Sequence, residues 1–342
     1  MEKVNYKQLY TKLTKGLSPK TKDIFDRRFG VKSGNLETLE SIGDRLGITR
    51  ERVRQIEEVG FNFVKKNNKE TLDTIFKNFR DYLESQGGFK KEEVILQELG
   101  GANNKPYVLF LLTLGSDFVR VCGKKDYHYF WLVNPEAEGK IKDTLHALVS
   151  DIEDHGALLK QDELVTKFAL KHNIDDQAIA SYVEISKRIQ ENKEGKLGLA
   201  NWPEINPRGV KDKAFLVFKQ SQEPLHFRKI TELIDGLGFS HSGKKTHPQT
   251  VHNELIKDTR FVLVGRGTYA LAEWGYVPGT IKDIITKVLN EKKEPTHQDH
   301  VLKEVMAQRL VAKNTILINL NNKKYFNKDD QGRYFLQKTE SA

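Results

Sequence analysis

From about residue 70 onward the chain repeats one pattern every 60 to 70 residues or so, which restricts the fold to an array of small modules. A long amphipathic segment comes first, around 71–84, 140–155, 210–219 and 280–291. A second helical segment follows at 90–99, 160–172, 226–236 and 297–308, and a third at 104–114, 175–187, 247–257 and 313–321. Each copy then ends in two β-rich stretches around a polar or Gly-rich turn. In the first copy these are Phe118-Val119-Arg120-Val121 and Tyr129-Phe130-Trp131-Leu132. In the third they are Phe261-Val262-Leu263-Val264 and Thr268-Tyr269-Ala270-Leu271, and in the fourth Lys324-Tyr325-Phe326 and Arg333-Tyr334-Phe335-Leu336. Three helices closed by a hairpin make a winged helix. The second copy carries the weakest hairpin signal, with a polar loop at 191–198 and few β-branched residues. Trp131, Trp202 and Trp274 stand near copy ends, where a large ring serves as a core plug.

The first 70 residues read differently. Ser18 and Pro19 open a helix over 19–29 that Gly30 ends. Leu36, Leu39, Ile42 and Leu46 then fall on one helical face, and Val53, Ile56, Val59 and Phe63 on another. Between the stripes, Gly47 permits a sharp turn and Thr49 caps the next helix. This is a helix-turn-helix, with Gly60 expected to interrupt its second helix. The expected fold class is mainly α with small β-hairpins (α+β): a helix-turn-helix domain followed by an array of winged-helix modules. Asn134-Pro135, Asn206-Pro207-Arg208-Gly209 and Pro278-Gly279 break regular structure. The expected domains are therefore 1–70, 71–137, 138–207, 208–277 and 278–342.

Charge narrows the function. Residues 1–70 hold 16 Lys and Arg against 10 Asp and Glu, an excess of +6 out of +9 for the whole chain, and such a field attracts polyanions. A single cysteine, Cys122, excludes an internal disulfide framework and a thiolate zinc site. The chain start has no apolar signal region, and the longest apolar run, Tyr107 to Leu114, is far below a membrane span. A cytoplasmic, nucleoid-associated protein without membrane contact is expected.

The residues that open the helix after Thr49 are of the types that match base edges in the major groove. Arginine pairs bidentately with guanine and glutamine with adenine, while glutamate accepts from cytosine. Arg50, Glu51, Arg54 and Gln55 share one broad helix face, and Val53 and Ile56 point to the core. The competing reading of the same residues is a solvated, salt-bridged surface. Their place at the start of the second helix of a tightly turned pair favours DNA contact.

With "DRRFG" at 26–30 and "TLESIGDRLGITRERVRQIE" at 38–57, the stretch from Leu17 to Lys66 resembles region 4 of bacterial sigma factors. That family reads the promoter element near minus 35 and holds the polymerase β flap on its other face. The resemblance implies base contacts by Arg50, Glu51 and Gln55. It also implies that Thr49, Arg52 and Arg54 grip phosphates or orient the helix, which positions the helix without specifying sequence. Phe61 and Phe63 replace the usual basic continuation, and no stretch resembles the aromatic region that melts the minus 10 element. An initiating sigma factor is therefore not the expected role.

Residues 211–276, with "HFRKITELI" and "HPQTVHNELIKDTRFVLVGRGTYALAEWGY", look like the HARE-type winged helix-turn-helix, and 279–338 like a divergent copy. That family occurs with chromatin factors, restriction-type proteins and the polymerase delta subunit, which implies DNA or polymerase contact. Gln249, Thr250, Asn253 and Lys257 lie on the polar side of its third helix, and Val251, Leu255 and Ile256 face inward. Gly265-Arg266-Gly267 makes the hairpin tip and places Arg266 toward a minor groove or a phosphate. Lys244 and Lys245 add positive charge before the helix.

The string at 238–246 nearly spells a P-loop, but Lys245 takes the Ser/Thr position and the string follows a helix where that motif needs a strand. His241, His247, His252, His297 and His300 lack a completing carboxylate or thiolate, and are read as solvated or capping residues. No catalytic constellation is apparent. The expectation is a DNA-binding transcription regulator with no enzymatic activity, cofactor, metal or small-molecule substrate. Its expected partners are double-stranded DNA and RNA polymerase. The alternative is a polymerase-associated interaction protein without its own sequence readout.

Overall fold

The structure is a computed structural model and describes residues 4–172, 174–237, 245–292 and 294–337. The chain divides into two compact units, residues 1–201 and 202–342.

The first unit opens with α1 (Tyr6–Leu13), α2 (Pro19–Arg28), α3 (Leu39–Leu46) and α4 (Arg50–Asn67). Each start is capped as its sequence dictates. The side chains of Asn5, Ser18, Thr38 and Thr49 accept from the backbone N–H groups of Gln8, Thr21, Ser41 and Arg52. Gly47 ends α3 with φ 65°, and a Cβ on Gly43 would lie 2.6 Å from the Ile48 carbonyl oxygen. Only glycine at 43 therefore lets the turn fold back against its own helix.

Two expectations about α4 need correction. The helix runs through Gly60 without interruption. It also buries a stripe rotated from the expected one: Val53, Gly60 and Val64 are buried, Ile56 and Phe61 pack partly, and Val59 is 69% exposed and Phe63 37%. Gly60 is the cause, since a Cβ there would meet Thr21 Cγ2 at 2.6 Å and Phe25 Cζ at 2.8 Å. The missing side chain brings α2 close and fixes which face turns inward. Leu36, expected on the buried face of α3, precedes the helix and is 54% exposed.

The first winged unit comprises α5 (Lys69–Ser85), β1 (Phe89–Lys91), α6 (Glu92–Leu114), β2 (Val119–Val121) and β3 (Phe130–Leu132). Gly101, at φ 64° and ψ −173°, breaks α6 into the two helices that the sequence suggests. The second comprises α7 (Ala137–His155), α8 (Gln161–His172), α9 (Asp176–Ile185), β4 (Ile189–Glu191) and β5 (Leu197–Leu199). Its weak hairpin does form.

In the second compact unit, the third winged unit contains α10 (Gly209–Ser221), β6 (Leu225–His226), α11 (Phe227–Gly236), α12 (Pro248–Lys257), β7 (Phe261–Gly265) and β8 (Thr268–Leu271). The fourth contains α13 (Ile281–Lys292), β9 (Thr296–His297), α14 (Gln298–Gln308), α15 (Lys313–Leu320), β10 (Phe326–Lys328) and β11 (Arg333–Leu336).

Every copy adds an element that the periodicity does not announce. An extended segment before the second helix pairs with the last strand of the hairpin. The sheet orders are β1-β3-β2, β6-β8-β7 and β9-β11-β10, and in the second copy a bridge from Leu159 to Leu197 takes the same place. All four copies thus share helix, strand, helix, helix, hairpin, which is the winged-helix connectivity.

Candidate nucleic-acid interface

A winged helix that reads DNA offers its third helix to the duplex. The four copies differ in whether that helix is available. In the first copy it is the second half of α6, apolar all round, with Tyr107, Val108, Leu109, Phe110, Leu111 and Leu112 buried. Phe110 packs against Tyr10, Phe25, Phe29 and Phe61, with ring centroids 5.1–6.0 Å from its own, so the helix-turn-helix and the first copy share one core.

In the second copy α9 is consumed by the first. Tyr182 meets Phe89 at 4.8 Å between centroids, and Ser181 Oγ donates to the Gln86 carbonyl at 2.8 Å. The buried Lys90 pairs with Glu184 at 3.0 Å. A Cβ at Gly87 would lie 2.4 Å from Ala178 Cβ, so nothing fits between these elements. The second half of α6 and the inner face of α9 are thus taken up by packing within the first compact unit.

Three helices do keep outward faces. On α4, the residues singled out from sequence, Thr49, Arg50, Glu51, Arg52, Arg54 and Gln55, are all exposed, and Val53 is fully buried beneath them. Arg54 is held by Glu51 at 2.8 Å and Glu58 at 3.1 Å, and Arg52 Nη1 donates to Gln55 Oε1 at 3.1 Å. The Arg54 guanidinium keeps the Glu51 carboxyl below its usual range. Arg50 has no ion pair or side-chain hydrogen bond among the described residues. The face is thus partly the self-paired surface of the competing reading, with Arg50 at its leading edge uncommitted.

It backs onto α2. Arg27 pairs with Asp23 at 2.9 Å and Glu37 at 3.3 Å, and Arg28 Nη1 donates to the Glu37 carbonyl at 3.2 Å. Arg28 also stands 3.6 Å from Glu57, whose burial raises its carboxyl above the usual carboxylate range.

On α12, Gln249, Thr250, Asn253 and Lys257 are exposed as expected, and Gln249 Nε2 donates to Asn253 Oδ1 at 3.1 Å. Ile256, expected inward, is instead 63% exposed, because Val251 and Leu255 already fill the inner face. Lys245 is exposed beside the helix start, and Lys244 lies outside the described residues, as does His241. Arg266 is exposed at the hairpin tip, where Gly267 takes φ 68° and its carbonyl accepts from the Phe227 N–H at 2.9 Å, tying the wing to the start of α11.

On the fourth copy, α15 exposes Lys313, Asn314, Thr315 and Ile318, and its hairpin tip carries Asp329 and Asp330 where the third copy has Arg266. Asp329 is paired there with Arg333 at 2.8 Å.

Three histidines among the described residues serve as helix caps. Nδ1 of His226, His247 and His297 accepts from the backbone N–H two residues on, at 3.3, 3.3 and 3.4 Å. His252 packs between the rings of Phe227 and Tyr269, and His300 stands 4.0 Å from Glu304. Trp131 is 2% exposed and plugs the first copy's core, whereas Trp202 and Trp274 are only partly buried. No helix among the described residues is long and apolar enough to cross a membrane.

Comparison with known proteins agrees with this geometry. Residues 15–66 match the family model for sigma-70 region 4, and residues 208–274 match the HARE-HTH model, which describes the helix-turn-helix domain of ASXL and restriction endonuclease proteins. RNA polymerase sigma factor SigA of Nostoc sp. is 36% identical over 61 residues, which is 18% of this chain and 16% of that protein. SigA1 of Synechococcus elongatus is 38% identical over 56 residues, 16% of this chain and 14% of that protein. Sigma factor sigB of Arabidopsis thaliana is 38% identical over 58 residues, 17% and 10% respectively. The similarity thus spans no more than 16% of the length of any of these three relatives. The chain therefore carries two helix-turn-helix segments of known families, one of the sigma-70 region 4 type at its start and one of the HARE type in its second compact unit.

Proposed function

We propose that this chain is a DNA-binding transcription regulator that acts by binding rather than by catalysis. In this reading α4 enters the major groove of double-stranded DNA, with Arg50, Glu51 and Gln55 meeting base edges and Thr49, Arg52 and Arg54 meeting phosphates. A second, weaker contact comes from the third copy: Lys244 and Lys245, which precede its third helix in sequence, Gln249, Thr250, Asn253 and Lys257 along that helix, and Arg266 on the wing. Residues 71–137 and 138–207 serve as scaffold, 208–277 as the second reader and 278–342 as a module for protein contact. RNA polymerase is the expected protein partner, and the nucleoid of the cytoplasm the expected location.

The observation that carries the reading is the exposed Arg50, without an ion pair among the described residues, at the first turn of a helix whose other side buries Val53, Gly60 and Val64. Two weak contacts on one chain raise avidity when a duplex spans both. Binding-site selection with the full chain at fixed salt tests it. Arg50→Ala should cost about 1–3 kcal/mol on the preferred site and relax base choice at one position. Equal weakening on every sequence would leave Arg50 a phosphate contact only.

The second reading, a polymerase-docking protein without sequence readout, draws support from Leu36 and Val59, two large apolar side chains exposed on the helix-turn-helix. Capture of polymerase in nuclease-treated extract, together with no selected site, would favour it.

A further inference from the structure

At the far end of α4 from Arg50, about 22 Å along the helix at 1.5 Å per residue, lies a cleft that the proposed reading does not use. Its volume is about 440 Å³, and its rim carries four cations, Lys65, Lys69, Lys77 and Arg80. Only Arg80 is neutralised, by Asp117. Asp73 stands four residues after Lys69 and four before Lys77, the spacing at which helical ion pairs form, yet it pairs with neither. Among the described residues the three lysines have no acidic partner within 4.0 Å. Leu72 and Phe76 form an apolar wall, and the Ser116 hydroxyl stands beside Asp117 at the mouth.

With Asp117 taken by Arg80, three lysines face the single remaining carboxylate of Asp73 around this hollow, an excess of positive charge that favours an anion there. An apolar wall strengthens attraction to that anion by lowering the local dielectric. The three lysine ammonium groups lining one space suit phosphate oxygens, while the Arg80 guanidinium and the Ser116 hydroxyl are already engaged by Asp117. A carboxylate ligand would use such a set poorly, having two oxygens for several donors.

We infer that this cleft is a phosphate-binding site. The phosphate has two possible sources: the duplex backbone flanking the sequence that α4 reads, which rests on the proposed function, or a free polyphosphate. Backbone occupancy would extend the footprint beyond the recognition helix and set affinity without touching base choice.

The test uses the full chain and its K65Q/K69Q/K77Q variant, with matched thermal melting as the control for folding. On the selected duplex, the slope of log Kobs against log salt should fall in magnitude by about 2–3, near 0.9 for each phosphate that the variant no longer neutralises. The ratio of preferred to scrambled sequence should stay unchanged. Calorimetric titration of both proteins with inorganic triphosphate supplies the second arm. Triphosphate binding abolished in the variant with an unchanged salt slope identifies a free polyphosphate as the ligand. An unchanged slope together with unchanged or absent triphosphate binding overturns the site. The triphosphate arm needs no DNA, so failure of the proposed reading and failure of this site are told apart.

Discussion

The ring of Phe110, from the third helix of the first winged copy, stands edge-on to Phe29 of the helix-turn-helix, with centroids 5.3 Å apart and planes at 83°. The helix that a winged module ordinarily offers to DNA is here the floor of the helix-turn-helix. Phe110 also meets Tyr10 at 5.1 Å and Phe25 at 5.5 Å, so removing it empties a space shared by both. Phe110→Ala should cost about 3–5 kcal/mol, the usual range for a buried Phe truncation. Hydrogen exchange read by mass spectrometry should show α2, α4 and α5 losing protection together. Loss confined to α5 and α6 would mean that the two fold independently.

Two glycines in helices should respond in opposite directions to alanine. Gly60→Ala places a methyl 2.6 Å from Thr21 Cγ2 and 2.8 Å from Phe25 Cζ, and overpacking of that kind costs about 1–3 kcal/mol. Gly139 in α7 has nothing within 4 Å of its would-be Cβ, so Gly139→Ala should stabilise by about 0.5–1 kcal/mol through helix propensity alone. Urea unfolding of the two variants checks both signs, and equal effects would contradict the packing described for α4.

These glycines also mark where the sequence was legible and where it was not. The Thr49 cap, the Gly47 turn and the exposed start of α4 follow from local chemistry, and all are visible in a few adjacent letters. The rotation of α4 is not, because a glycine inside an apolar stripe reads as a break when its role is to admit a neighbour. The burial of α6 was half visible, since Tyr107–Leu114 is apolar on nearly every side. The burial of α9 was hidden, because its partners lie about ninety residues earlier. Strands of two residues, such as Leu225–His226 and Thr296–His297, are too short to alternate. The repeated Glu-Pro-X-His at 223–226 and 294–297 was the available signal for them. Lys65, Lys69 and Lys77 were missed because the helix break at Asn68 disguises the face they share.

Arg309 is 4% exposed and, among the described residues, has no carboxylate bonded to it; its guanidinium donates to the carbonyls of Gln308, Val277 and Gly279 at 2.6, 2.5 and 2.8 Å. Burial lowers its pKa, opposed by the charge of Asp283. The next residue donates its backbone N–H to Val264 on the edge strand of the third copy, so Arg309 fastens the segment that joins the third and fourth copies. Arg309→Met keeps much of the volume but strands buried carbonyls, and should cost about 1.5–3 kcal/mol. Arg333→Met breaks only a partly exposed pair with Asp329 and should stay within about 1 kcal/mol. Thermal melting of the two variants, with exchange rates at 277–279, separates a fastening role from ordinary surface charge.

Glu57 gives the protein a pH signature. Burial raises its folded pKa above the unfolded value, and the Arg28 charge only partly offsets this. Between those two values the folded state binds more protons than the unfolded one, so stability falls as pH rises through that window. Below the ordinary glutamate pKa both states are protonated, and the carboxyl exacts no penalty there. Glu57→Gln removes the titration and keeps the shape. The variant should therefore match the parent in acid and become progressively more stable relative to it as pH rises above the ordinary Glu value. Chemical unfolding of both proteins from acid to neutral pH measures the difference. If the parent instead gains on the variant as pH rises, the Arg28 pairing outweighs burial, and Glu57 is a net brace for α4 rather than a cost that this helix carries.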